Sequence, residues 1–265
     1  MIFSQIAVEP PQFIESMRRS GTGGPVQDPV PWHVGIGLSV DKTTLDPFCS
    51  GTILDKDTIL TARHCMMDFW FSQALFVLAG SEDITAPKKL HGVSKIIHPE
   101  SVVYNDKTRE NDVTIIKLKE PLKLSRSVQP ACLPNHKLKM RDGKQCYIGG
   151  WGQVAFETPE PPFDLMAASE VSIFDLEKCN KSLHGTSYIN GLTEDMICTY
   201  SNHKHACVGD SGGALICMEE NQPVLSGIIS NNHKCDKGKP VVYTRVDSFK
   251  DWIQSQMVNN SYKTY

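Results

Sequence analysis

No apolar run in this sequence is long enough to cross a membrane: the richest stretches, such as "PVLSGIIS", stop well short of the roughly 20 residues a helical span needs. Strong charge of either sign is missing too. The formal net charge is −3 with acids and bases interspersed, which excludes the basic footprint of a nucleic-acid or anionic-membrane binder. The opening "MIFSQIAVEPPQF" lacks a basic start, a long apolar core and a small-residue cleavage site, so it is not read as a secretory leader. CxxC pairs are absent, which argues against a structural zinc site. No clear internal repeat and no low-complexity tract is found.

What is present is cysteine: nine, at 49, 65, 132, 146, 179, 198, 207, 217 and 235. Scattered thiols without metal spacing point to disulfides and an oxidising compartment, hence a secreted chain or a module of a longer secreted one. N-x-S triplets at Asn180 and Asn259 are compatible with that. Nine is odd, so at least one cysteine has no partner within the chain.

The 265 residues, 40% of them hydrophobic, can bury a sizeable core. Residues 1–31 are rich in Pro, Gly and Ser and read as a segment without its own core. From Trp32 onward short apolar or alternating runs ("WHVGIGLSV", "TILTA", "ALFVLAG", "DVTIIKL", "QCYIGGWG", "ALICM", "PVVYTRV") are broken by Gly, Pro, Asn and Asp. Such runs predict an all-β body, and over this length two packed β-units. The end differs. Val246, Phe249, Trp252, Ile253 and Met257 fall at helical spacing, predicting an amphipathic helix with Asp247 or Ser248 as N-cap.

The stretch "ACVGDSGGAL" sets Asp210 and Ser211 among glycines just after Cys207. Taken alone it fits a surface turn, since Gly tolerates positive φ and Asp can bond its own backbone. It equally suits a nucleophile. A serine hydroxyl attacks a carbonyl only when an imidazole takes its proton and a third group fixes that imidazole. The developing oxyanion needs backbone N–H donors that no side chain blocks. His64 in "LTARHC" closes a strand-like run beside a cysteine, and Asp112 in "ENDVTIIKL" opens an apolar strand where a carboxylate must be hydrogen-bonded. Singly, His64 also reads as a structural histidine and Asp112 as a strand cap.

Together the sequence resembles the chymotrypsin/trypsin family of serine endopeptidases, through "LTARHC", "NDVTIIKL", "CYIGGWG", "GDSGG", "GIISNN" and "PVVYTRV" in the family's order, over roughly residues 23–258. The resemblance implies an all-β fold of two packed six-stranded antiparallel β-barrels, about 32–130 and 131–246, with a C-terminal α-helix at about 247–258. Residues 1–22 would be a pro-like or linker segment and 259–265 a tail. It further implies His64 as general base, Asp112 as orienting carboxylate and Ser211 as nucleophile. The Gly209 and Ser211 amides would form the oxyanion hole, Ser230 would bond the aspartate, and the backbone of Ser230–Asn232, with Asn231 between them, would pair with substrate. The implied disulfides are Cys49–Cys65, Cys146–Cys217, Cys179–Cys198 and Cys207–Cys235, each contributing about 2–4 kcal/mol. Cys132 is left over; the resemblance matches it to a tether for an upstream light chain or module, with a buried thiol as the alternative. No cofactor and no metal are implied, and protein inhibitors are expected partners alongside protein or peptide substrates.

Two features depart from the family. Where its zymogens are cut before Ile-Val-Gly-Gly, this chain has "SGTGGPV". Cleavage after Arg19 would expose Ser20, without the apolar anchor worth roughly 2–3 kcal/mol, so the expectation is that Asp210 lacks the ammonium partner the family supplies and that the resting chain is zymogen-like. The specificity pocket also differs. His205 stands six residues before Ser211, where trypsin-like members carry Asp, and Asn232 and Val241 replace usual glycines. A buried Lys or Arg without a counter-charge is costly, so small apolar residues, an acidic residue met by protonated His205, or a blocked pocket remain the alternatives. His203 and His233 would lie near His205 on a solvated rim. The family's calcium loop is shortened and carries lysines in "SEDITAPKKLHG". Arg63, beside the base, has no role in this scheme. The expectation is a secreted serine endopeptidase acting through an acyl-enzyme; the alternative is a protease-fold regulatory or binding module.

Overall fold

The computed structural model describes residues 30–67, 74–81, 83–84, 89–151, 167–183, 191–200, 206, 209–231 and 239–258. Twelve strands close into two six-stranded antiparallel barrels. The first runs β1 (His33–Leu38), β2 (Asp46–Ile53), β3 (Thr58–Thr61), β4 (Leu75–Ala79), β5 (His91–Ile97) and β6 (Thr114–Leu118), in the order β1-β2-β3-β6-β5-β4. The second contains β7 (Gln145–Gly150), β8 (Ala167–Phe174), β9 (Met196–Tyr200), β10 (Ala214–Glu219), β11 (Gln222–Asn231) and β12 (Val241–Arg245), in the order β10-β11-β12-β9-β8-β7. The β-branched runs seen in the sequence form these strands because stiff, branched side chains pack well on a pleated surface. Closure leaves neither barrel an unpaired edge.

Curvature needs local breaks in the ladder. Between Ile36 and Gly37 the β1–β2 register shifts by one residue. A Cβ on Gly37 would stand 2.2 Å from the Asp46 carbonyl oxygen, so only glycine lets the two backbones cross at this bulge.

The barrels share a core. Tyr147, Trp151, Ile216 and Leu225 lie in one buried cluster with Val34, Ile53, Leu60 and Ile115 of the first barrel. The second barrel fills its own interior with Ile148, Ile173, Leu215, Ile229 and Tyr243. The C-terminal helix enters the shared cluster: Val246, Phe249 and Ile253 are buried, with Trp252 and Met257 packed against them. Its first turn is 3₁₀, Val246–Phe249, before α-helix geometry takes over at Lys250–Val258. Asp247 does not cap it. Its carboxylate accepts from Arg245 Nε at 2.6 Å and from the Leu138 backbone N–H at 2.6 Å, which tie the helix start to the preceding chain.

A second, short helix, α1 (Leu176–Ser182), has no counterpart in the sequence reading; the C-terminal helix is α2. Asp175 caps α1, accepting from the N–H groups of Glu177 and Lys178 at 3.1 and 3.0 Å. Seven residues are too few to show a helical period. Buried Cys179 fastens α1 to β9 through a disulfide with Cys198. Cys146–Cys217 links paired residues of β7 and β10, and Cys49 joins β2 to Cys65. Three of the implied disulfides are therefore present, and Cys207–Cys235 lies outside the described residues. Cys132 is a half-buried thiol whose pKa is raised by that burial. Among the described residues no helix is long and apolar enough to cross a membrane.

His33, at the start of β1, is 1% exposed and tilts against Trp151 with ring centroids 4.9 Å apart. Its Nε2 meets no hydrogen-bond partner among the described residues. Burial lowers its pKa from 6.5 to about 3, so the folded chain holds the neutral ring while the unfolded chain takes up a proton. The stability this gives is fully present above pH 6.5 and is lost as pH falls toward 3. Urea unfolding across that window should show the stability gap between wild type and His33→Gln narrowing with acid. Parallel curves would refute it.

Candidate active site

β3 and β6 pair with Thr61 opposite Thr114 and Leu60 opposite Ile115. The residues just after β3 and just before β6 therefore leave the barrel at the same end. The first is the 3₁₀ turn Arg63–Met66, which carries His64 and is pinned to β2 by Cys49–Cys65. The second is Asp112. Topology brings together a histidine and an aspartate 48 positions apart.

Asp112 is fully buried. One carboxylate oxygen accepts the His64 backbone N–H at 2.8 Å. The other lies 2.7 Å from His64 Nδ1 and accepts from Ser230 Oγ at 2.5 Å. Thr244 Oγ1 donates to the Asp112 carbonyl at 3.0 Å. Burial pushes the carboxyl pKa up, but the bonds and charge from His64 and the bond from Ser230 outweigh it, and the group sits below the ordinary carboxylate value. An ionised carboxylate can only accept, so His64 Nδ1 carries a proton, and in the neutral ring Nε2 is the acceptor.

Ser211 sits in a turn built for close approach. Gly209 and Gly212 have φ of +94° and +85°, where only glycine is unstrained. A Cβ on Gly212 would come 2.2 Å from Thr61 Oγ1 and 2.3 Å from the Ser50 carbonyl oxygen. Strand β2 holds the turn from one side: Ser50 N–H donates to the Ser211 carbonyl at 2.8 Å and Ser50 Oγ to the Gly209 carbonyl at 2.9 Å. Strand β11 holds it from the other, with Gly212 N–H donating to the Ile229 carbonyl at 2.8 Å. Among the described residues the N–H groups of Gly209 and Ser211 meet no acceptor.

His64 and Ser211 meet at the disulfide. Cys65 Sγ is 3.8 Å from His64 Nε2 and 3.6 Å from the Ser211 carbonyl oxygen. No hydrogen bond joins Ser211 Oγ to His64 Nε2 among the described residues; in unliganded catalytic sites that bond is often long. The ligand atoms of Cys49, His64 and Cys65 lie within 4.8 Å of one another, but the two sulfurs are bonded to each other and offer no thiolate to a metal.

The other expected residues divide. Ser230 is buried on Asp112. Asp210 packs its carboxylate on Gly150, where a Cβ would stand 2.2 Å from Oδ1. Asn231 pairs with Val242 at the end of β11, and Val241 is buried in the second barrel's core with Ile229 and Tyr243. His205, Asn232, His203 and His233 lie outside the described residues. Sequence reasoning missed Ser50 and Thr244, which hold the turn and the aspartate's backbone. Each reads there as an ordinary strand residue, and no spacing signals it.

The Trypsin family model matches residues 22–253. The chain is 28% identical over 235 residues to serine protease 28 of Mus musculus, covering 86% of this chain and 84% of that protein. It is 34% identical over 233 residues to transmembrane protease serine 9 of Rattus norvegicus, covering 84% of this chain but only 20% of that much longer one. With paired barrels, a buried aspartate on a histidine and a glycine-flanked serine beside them, the chain belongs to the trypsin family of serine proteases.

Proposed function

We propose that this protein is a secreted serine endopeptidase that cleaves peptide bonds through an acyl-enzyme, with Ser211 as nucleophile, His64 as base and Asp112 as its orienting group. The observation that carries this is the His64–Asp112 pair at 2.7 Å, with the imidazole's other nitrogen facing the disulfide that also touches Ser211. Ser211 Oγ attacks the scissile carbonyl as His64 Nε2 takes its proton. The imidazolium is stabilised by the buried carboxylate, and the oxyanion lies against the Gly209 and Ser211 amides, each such donor being worth roughly 3–4 kcal/mol at the transition state. His64 then protonates the leaving amine, and a water repeats the sequence on the ester.

Small apolar side chains are the proposed preference next to the scissile bond, since His205 supplies no anion for Lys or Arg. The chain is proposed to be zymogen-like at rest, because the segment "SGTGGPV" offers no apolar anchor for an amino terminus that would pair with Asp210. Disulfides are consistent with an extracellular setting, and Cys132 is the proposed tether for an upstream module.

A fluorophosphonate probe should label Ser211 in the wild type, faster after limited proteolysis, and leave Ser211→Ala unlabelled. An intact chain that titrates fully would overturn the zymogen-like state. Absence of label at every proteolytic stage would overturn the peptidase reading in favour of a protease-fold binding module. Asp112→Asn would place an N–H donor against His64 Nδ1 and force the proton onto Nε2. The labelling rate at neutral pH should then drop about 10³–10⁴-fold; a loss under tenfold would contradict the assigned role.

A further inference from the structure

Arg63 precedes His64 in the 3₁₀ turn, and nothing in the base's chemistry calls for a guanidinium there. It is not idle. Its Cζ stands 5.3 Å from the centroid of the Tyr104 ring, within cation–π range. Tyr104 belongs to the loop 98–111, which leads directly into Asp112. The phenol is half-buried; burial raises its pKa, and the Asp112 charge raises it further, so the ring lies within the aspartate's field. Its hydroxyl accepts from Arg109 Nη1 at 3.3 Å.

This loop needs fastening. Arg109 and Asn111 have φ of +58° and +59°, the left-handed region, which asparagine tolerates but a long side chain such as arginine rarely adopts, and the strain at Arg109 persists only where the surroundings impose it. Some restraint is internal. Arg109 N–H donates to the Asn105 carbonyl at 2.7 Å, and Asn111 Nδ2 to the Val103 carbonyl at 2.7 Å. These bonds close the loop on itself without attaching it to the turn that carries His64. The Val103 side chain is 84% exposed, while Val102 beside it packs against the buried core. The Arg63–Tyr104 contact does reach across.

We propose that Arg63 is a positioning residue: by lying over Tyr104 it ties the turn bearing His64 to the loop that leads into Asp112, adding to the direct His64–Asp112 bonds and keeping the imidazole and carboxylate in line. The proposal rests on the peptidase reading for its kinetic consequence, but not for its structural one. A planar cation fits the task, since it covers a ring face while its charge stays hydrated at the rim.

The test uses the full chain with Arg63→Ala, Tyr104→Ala, Tyr104→Phe and the double alanine variant. Two readouts are taken: fluorophosphonate inactivation resolved into binding and rate constants, and the His64 Nδ1–H proton resonance. A small misalignment of reacting groups slows chemistry more than binding. Arg63→Ala and Tyr104→Ala should each lower the inactivation rate constant about tenfold with binding unchanged, and both should shift or broaden the resonance. Tyr104→Phe keeps the ring face and should behave as wild type. The double variant should be no slower than either single one, because the two side chains act as a unit. Wild-type rate and resonance in Arg63→Ala would overturn the proposal, as would losses that multiply in the double variant. If wild type takes no label, the peptidase reading fails by itself, and the resonance alone decides for or against the clamp.

Discussion

A carboxylate with no contact to water is tolerated only when hydrogen-bond donors take the place of its lost hydration. Asp112 meets that condition with donors from distant parts of the chain: two from His64, after β3, and one from Ser230, on β11, while Thr244 on β12 takes its carbonyl. The first barrel supplies the aspartate and histidine, and the second supplies the serine and threonine. Satisfying one buried charge therefore fixes how the barrels meet. A one-residue slip of β11 or β12 would turn Ser230 or Thr244 to the opposite face and leave the group short of a partner.

The turn carrying Ser211 obeys the same logic without charge. Its carbonyls at Gly209 and Ser211 are taken by Ser50 of the first barrel, and the Gly212 amide is taken by β11 of the second. Among the described residues the Gly209 and Ser211 amides meet no acceptor, and positive φ at Gly209 and Gly212 lets the backbone turn so tightly. Cys49–Cys65 sits where these restraints cross, touching both the histidine ring and the serine carbonyl.

Much of this was legible in the residues. Alternating β-branched runs mark the strands because a half-buried strand has a period of two. His64, Asp112 and Ser211 stood out because each sits oddly in its local pattern, and the resemblance joined them. The cysteine pairing came from that resemblance, since spacing alone leaves many connectivities open. Other features were hidden for identifiable reasons. Helix α1, at seven residues, is just under two turns, so its capping aspartate is the main signal, and Asp also opens turns. Asp247 and Ser248 both suit a cap by residue type, but sequence does not reveal that the Asp247 carboxylate is taken by Arg245 and the Leu138 amide. Ser50, Thr244 and the Arg63–Tyr104 contact depend on approaches between segments far apart in the chain, which no local pattern encodes.

The alignment of base, nucleophile and amides can be examined directly in a crystal structure of the phosphonylated protein. The account predicts phosphorus bonded to Ser211 Oγ, its phosphoryl oxygen within hydrogen-bonding distance of the Gly209 and Ser211 amides, and His64 Nε2 facing the adduct while Nδ1 stays on Asp112. An adduct whose oxygen points to solvent, or a His64 ring parted from Asp112, would contradict it.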